Sequence, residues 1–259
     1  NKALGQTTVE IGNGTGNSSM GGLYGWEYYA FRYSAEEIGN TNNPVLISQL
    51  QFNVYSIVSS SNTVSYDFWL KAVDAGTTLT ATNTFNDFLQ DAVQVSSSAS
   101  ILSTGWYSID LANNFSLPSN KDLLVIVKAV SSSVSGSASR KVYTSTLSSY
   151  GSVWQLRRDT NDPGTSATGS TTAIRPNITL TLTLQPIVLN ATTSGGTTHI
   201  DCDETIDFTD SGSTTGQYSN NENYNYTFTT QENADITITF NSFTTESYNY
   251  NYDYMTLYD

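Results

Sequence analysis

One cysteine, one histidine and ten lysines plus arginines among 259 residues leave several chemistries without their raw material. A single cysteine forms no disulfide within the chain, and one cysteine with one histidine cannot build a closed tetrahedral zinc site. A Ser-His-Asp triad would have to run through His199, which stands beside Gly195-Gly196 in a stretch that reads as linker, and the chain has no Gly-x-Ser-x-Gly elbow. Against the ten basic residues stand 23 acidic ones, a net charge of −13. That field repels a phosphate backbone and an anionic bilayer alike, so nucleic acid is not expected as a partner. No run of eighteen or more apolar residues is present, so insertion of a helix into a membrane is not expected either. Gly12-Asn-Gly14-Thr-Gly16 lacks the following Lys-Ser/Thr of a phosphate loop and reads as a turn. Paired carboxylates for glycoside hydrolysis exist in number, but most acids sit beside Ser, Asn or Gly in predicted loops, where solvation accounts for them.

What the chain does have is Ser, Thr, Asn, Gly and aromatic residues in short alternating runs. Charged residues make up only 13% of it, so its polarity comes from hydroxyls and amides, the pattern of an extracellular β protein. Helical periodicity is nearly absent, and the alternation predicts an all-β sandwich with strands at 8–11, 28–33, 46–55, 66–73, 92–95, 105–111, 123–129, 153–156 and 178–184. Leu123-Leu-Val-Ile-Val127 is apolar at every position, which predicts a central strand covered on both faces. Ser34-Ala-Glu-Glu37 predicts a single capped helical turn. Asn83-Thr-Phe-Asn-Asp-Phe-Leu89 reads as a short helix or irregular connector. Asp159-Thr-Asn-Asp-Pro-Gly164 reads as a turn by its Asx and Pro-Gly chemistry, with a cation loop as the alternative.

The length leaves room for two cores. Residues 1–5 read as a signal-peptide remnant, because Ala3-x-Gly5 is a small-x-small cleavage signature, or else as a tail; on the first reading the mature chain begins at Gln6. Residues 6–187 form the first domain, ended by the proline of Leu184-Gln-Pro186. Residues 188–198, containing Asn190-Ala-Thr-Thr-Ser-Gly-Gly196, form a small polar linker, and residues 199–259 begin a second domain.

Two aromatic clusters are candidates for recognition. One holds Trp26, Tyr28 and Tyr29; the other holds Tyr248, Tyr250, Tyr252 and Tyr254. Aromatic faces stack on sugar rings or fill pockets in a partner protein, and alternate tyrosines also tile a sheet face. Trp26, Tyr28, Tyr248 and Tyr250 are the expected ligand-binding residues.

Two resemblances add to this reading. Phe208-Thr-Asp-Ser-Gly212, Tyr218-Ser-Asn-Asn221, Phe243-Thr-Thr-Glu246 and Tyr252-Asp-Tyr-Met-Thr-Leu-Tyr-Asp259 together resemble the first half of a CUB domain in order and spacing. Tyr224 and Tyr250 stand where that family has half-cystines, and Cys202 near its first cysteine. The resemblance implies a partial CUB-like β-sandwich at 199–259. It also implies a calcium ion held by Glu246 and Asp253, for which a hard cation would need further oxygen ligands. The first domain, through Val9-Glu-Ile-Gly12, Gly22-Leu-Tyr-Gly-Trp26, Gly105-Trp-Tyr-Ser-Ile-Asp-Leu111 and Arg175-Pro-Asn-Ile-Thr179, resembles the jelly-roll modules of secreted Bacteroidota proteins. That implies export through the type IX outer-membrane secretion route. The expected fold is thus a jelly-roll-like sandwich followed by a partial CUB-like one. The expected function is non-catalytic presentation of these modules at the cell surface for adhesion or ligand recognition, as a surface adhesin or in a filament, with other protein modules, surface glycans or further copies as partners. The alternatives are targeting modules of a secreted hydrolase, or a carbohydrate-binding lectin.

Overall fold

The computed structural model describes residues 6–41, 43–58, 63–132, 139–200, 206–212, 221–230, 234–240 and 255–258. In chain order it begins with β1 (Gln6–Ile11), β2 (Gly16–Ser19), β3 (Trp26–Tyr33), helix α1 (Ala35–Ile38), β4 (Val45–Ile57) and β5 (Val64–Asp74). Helix α2 (Phe85–Leu89), β6 (Val93–Ala99), β7 (Gly105–Ile109), β8 (Phe115–Leu117) and β9 (Lys121–Ser131) follow. The sandwich closes with β10 (Arg140–Thr146), β11 (Val153–Arg158), β12 (Ser170–Thr172), β13 (Ile174–Pro176) and β14 (Ile178–Leu184).

These strands form two antiparallel sheets. The six-stranded sheet runs β12-β11-β3-β9-β5-β6; the eight-stranded sheet runs β1-β14-β4-β10-β13, with β2 on β10 and both β7 and β8 on β4. Alternation along each strand sorts side chains between the two faces. Tyr29, Phe31 and Tyr33 of β3, Tyr66, Phe68 and Leu70 of β5, and Leu123, Val125 and Val127 of β9 share one interior with Leu50, Phe52 and Val54 of β4 and Ile178, Leu180 and Leu182 of β14. Each such side chain taken out of water contributes about 1.5–3 kcal/mol. The chain is an all-β sandwich, as its alternation predicts.

The opposite parity of the six-stranded sheet is also apolar. Tyr28, Ala30, Leu124, Ile126, Trp154 and Leu156 lie on its outer side, where Leu79, Phe85 and Phe88 from the β5–β6 connection cover them. Leu123–Val127 is therefore buried on both faces, as its unbroken apolar run requires. Helix α2 is positioned for this cover by a capping box in which the Thr84 hydroxyl accepts from the Asp87 N–H and the Asp87 carboxylate accepts from the Thr84 N–H. Helix α1 has the same device in Ser34 and Glu37.

Within the two large sheets, five strands lie where the sequence predicts none: β2, β8, β10, β12 and β13. The segment Gly12–Gly16 is strapped to β10 by a hydrogen bond from the Gly14 N–H to Ser145 Oγ (2.9 Å), and to the β13–β14 junction by one from Asn177 Nδ2 to the Gly14 carbonyl (2.8 Å). The backbones come so close there that a Cβ on Gly14 would lie 2.3 Å from the Thr144 carbonyl oxygen. Residues 12–15 connect β1 to β2, and Gly16 already belongs to β2.

Beyond β14, β15 (Ile187–Val188), β16 (Gly196–Ile200), β17 (Phe208–Thr209) and β18 (Tyr226–Thr230) form two parallel pairs, β15 with β17 and β16 with β18. The residues read as linker thus include the end of β15 and the start of β16. Between them Asn190 Oδ1 accepts from the Thr192 N–H at 2.8 Å, closing a turn.

Candidate functional site

The aromatic cluster expected near the start of β3 is largely internal. Tyr28 is 1% exposed: its ring lies 4.5 Å from that of Phe85, Lys128 Nζ sits 5.5 Å from its centroid, and its hydroxyl donates to Asp162 Oδ1 at 2.5 Å. Tyr28 is therefore corrected from a recognition residue to part of the layer beneath α2, because its parity matches Ala30 rather than a solvated face. Trp26 is half-buried against the same layer. Tyr29 is buried in the interior. Tyr248, Tyr250, Glu246, Asp253 and Cys202 lie outside the described residues. At Asp162, burial pushes the carboxyl up, but the Tyr28 hydroxyl, the Gly164 N–H and Lys128 hold it below its ordinary value. The Asp159–Gly164 loop is accordingly a turn locked by protein donors.

Several of the scarce charges also work inside the fold. Glu27, fully buried, accepts from the Leu23 and Tyr24 N–H groups at 2.9 and 3.2 Å and from the Tyr29 hydroxyl, with Arg157 Nε at 3.8 Å. Burial first, and then the Glu27 carboxylate, push the Tyr29 hydroxyl well above its ordinary pKa. A cleft of about 100 Å³ opens over Tyr29, Ser19, Gln155 and Arg157, and another of about 190 Å³ lies over Arg32, Glu37 and Arg175. In both, the guanidinium groups are held by neighbouring carboxylates. Among the described residues, no group of three or more His, Cys, Asp or Glu side chains stands where it could hold a metal ion.

The solvent face of the eight-stranded sheet is different in kind. Pairing and parity place Thr8, Thr181 and Gln49 in one outward row, and Glu10, Thr179, Gln51 and Ser108 in the next. Thr181 Oγ1 donates to Gln49 Oε1 at 3.2 Å and Gln51 Nε2 to Ser108 Oγ at 2.8 Å, so the amides are held in place. Farther along β4, Val54 pairs with Gly105 of β7 on one side and Val142 of β10 on the other. One residue beyond those partners come Trp106, paired with Asn53, and Tyr143, paired with Asn17 of β2.

Register also explains Tyr55. Val142 pairs with Val54, but the preceding Lys141 pairs with Ser56, so Tyr55 is the extra residue of a β-bulge, a device that re-aims a side chain. Its ring stands edge-on to Tyr143, centroids 5.1 Å apart. Tyr55 is 45% and Trp106 38% exposed, whereas the aromatics of the interior are at most a few per cent exposed. Three aromatic side chains with adjoining amides and hydroxyls thus occupy neighbouring strands of one open face. The sequence reading missed all three. Alternation held the signal for two: Trp106 has the parity opposite to Ile109, and Tyr55 follows inward-facing Val54.

No protein-family model matches the chain, and no curated protein matches it. Among solved structures it is similar to the cysteine protease and lectin-like domains of Cwp84, a surface-layer-associated protein of Clostridium difficile, at 8% identity and a TM-score of 0.38, over 62% of this chain and 33% of that one. It is also similar to the clostridial cysteine protease Cwp84 after propeptide cleavage, at 8% identity and a TM-score of 0.44, over 70% of this chain and 40% of that one. This chain therefore spans between a third and two fifths of the length of those chains.

Proposed function

We propose that this protein is a non-catalytic module of an exported surface protein, and that it recognises carbohydrate on the outer face of its eight-stranded sheet. The observation that carries the reading is the cluster of Tyr55, Trp106 and Tyr143 beside Asn53, Asn17 and Gln51. A pyranose ring has an apolar C–H face and an equatorial rim of hydroxyls. Solvent-facing aromatics take the first and side-chain amides the second. The same face carries no carboxylate pair or nucleophile–base pair among these residues, so binding rather than bond cleavage is the chemistry it suits. The CUB-like character of residues 199–259, and calcium at Glu246 and Asp253, belong to the same proposal and rest on the sequence pattern.

A glycan array probed with the purified chain tests the reading. Signal on a defined set of glycans, lost in Trp106→Ala at unchanged melting temperature, is the expected result. A response equally flat for both proteins would remove carbohydrate recognition as the function of this face.

A further inference from the structure

Going further on that reading, we infer that the ligand is a neutral glycan chain of at least two sugars, lying across the strands and bound along its length rather than by its end. The rings belong to three consecutive strands. Trp106 is on β7, Tyr55 on β4 and Tyr143 on β10, and the common row at Val54 places β7 and β10 on opposite sides of β4. Adjacent strands lie about 4.8 Å apart, so the aromatic line from β7 to β10 extends over about 10 Å. One pyranose cannot cover that line; successive units of a chain can.

The shape of the face points the same way. A site for a single small ligand is concave and encloses most of its occupant. The two clefts described above, over Arg157 and over Arg175, do not include Tyr55, Trp106 or Tyr143 in their lining. On an open sheet face a terminal sugar is contacted on one side only, and affinity has to accumulate over several units. With the rings side by side across the sheet, both ends of a bound chain are free to continue past its edges.

Charge selects among chains. The groups flanking the rings are the amides of Asn17, Gln51 and Asn53 and the hydroxyl of Ser108, while the molecule as a whole carries −13. A uronic or sulfated polymer would approach against that field. Lys141, the residue before Val142 on β10, is a single cation and cannot offset it.

The test is calorimetric titration of the full chain with neutral gluco-, xylo- and manno-oligosaccharides of one to six units, and with polygalacturonate as the acidic chain. Affinity for the recognised series should rise from one unit to three and then level off. Trp106→Ala and Tyr55→Ala should each weaken the longer oligosaccharides about two- to tenfold at unchanged melting temperature. Polygalacturonate should give no heat. A monosaccharide bound as tightly as its hexamer, or polygalacturonate bound more tightly than any neutral series, would overturn the inference while leaving carbohydrate recognition standing. Silence from every glycan here and on the array would overturn the functional reading, and this inference with it.

Discussion

At Asp122 a side chain 1% exposed ties three elements together. Oδ1 accepts from the Ala35 N–H at the start of α1 (2.8 Å), and Oδ2 accepts from Arg32 Nη1 of β3 (2.5 Å) and from the Gly76 N–H after β5 (2.9 Å). Removing the carboxylate leaves a largely buried guanidinium and two backbone donors without their acceptor. Asp122→Ala should therefore lower stability by about 3 kcal/mol, seen as a lower urea midpoint at unchanged slope. Asp122→Asn, which keeps one acceptor, should lose less; equal losses would mean that the cavity, not the missing acceptor, is responsible. Glu37 gives a different signature. Burial pushes its carboxyl up, but hydrogen bonds from Arg175 and from the Ser34 N–H and hydroxyl hold it below its ordinary 4.5. A carboxyl whose pKa falls on folding stabilises the native state fully above its unfolded value, and that contribution is lost as pH falls through the native one. Melting temperatures of the wild type and Glu37→Gln should thus differ most near neutral pH and converge as pH falls below 4.5. A gap that stays constant down to strongly acidic pH would show that the charge of Glu37 is not what stabilises α1.

Among the elements, α2 has an importance out of proportion to its five residues. Phe85 meets Tyr28 at 4.5 Å and Trp154 at 6.4 Å, and Phe88 meets Trp154 edge-on at 5.0 Å, so two rings of one short helix cover the outer side of the six-stranded sheet. Phe85→Ala should cost about 3–5 kcal/mol, as deletion of a buried ring does, and should raise the fluorescence quenching of Trp154 by acrylamide. A loss below about 1 kcal/mol would mean that the neighbouring side chains close over the gap. This cover was half legible in the sequence. The unbroken apolar run at Leu123–Val127 requires a second layer, and Asn83–Leu89 reads as a connector able to supply it, but nothing local says that the two meet. The strands β3, β5, β9 and β14 were legible because a buried parity repeats over many residues. β10 was not, because it opens on Arg140-Lys141 after a serine-rich stretch, and its buried residues are Arg140, Val142 and Thr144, of which only Val142 is apolar. Missing β10 meant missing Tyr143, and with it one of the three rings of the candidate site.

For the whole molecule, scarcity of charge is the legible trait with the widest consequence. Arg32, Arg157 and Arg175 are each engaged by an acid within the fold, and the open sheet face presents mainly amides, hydroxyls and aromatic rings, with Glu10 in the row of Gln51. Legibility ends after β14. Ile236, Ile238 and Phe240 alternate as a strand would, yet they are 39%, 47% and 51% exposed, and the pattern alone does not say what they pack against. All strands of the two large sheets end by Leu184, and the buried residues between them are drawn from residues 11–182. A protein of residues 6–187 should then unfold in one cooperative transition within a few degrees of the main transition of the full chain, since the loss of one or two kcal/mol at the β15 end moves a domain of this size by only about 2–8 °C. It should also retain the carbohydrate binding proposed for Trp106 and its neighbours, because every residue of that face lies between β1 and β14. Differential scanning calorimetry of both proteins, with and without the glycan recognised on the array, decides the point. A fragment that melts more than about 15 °C lower, or without a cooperative transition, would show that residues after 187 belong to the sandwich core, and the division of the chain would have to be redrawn there.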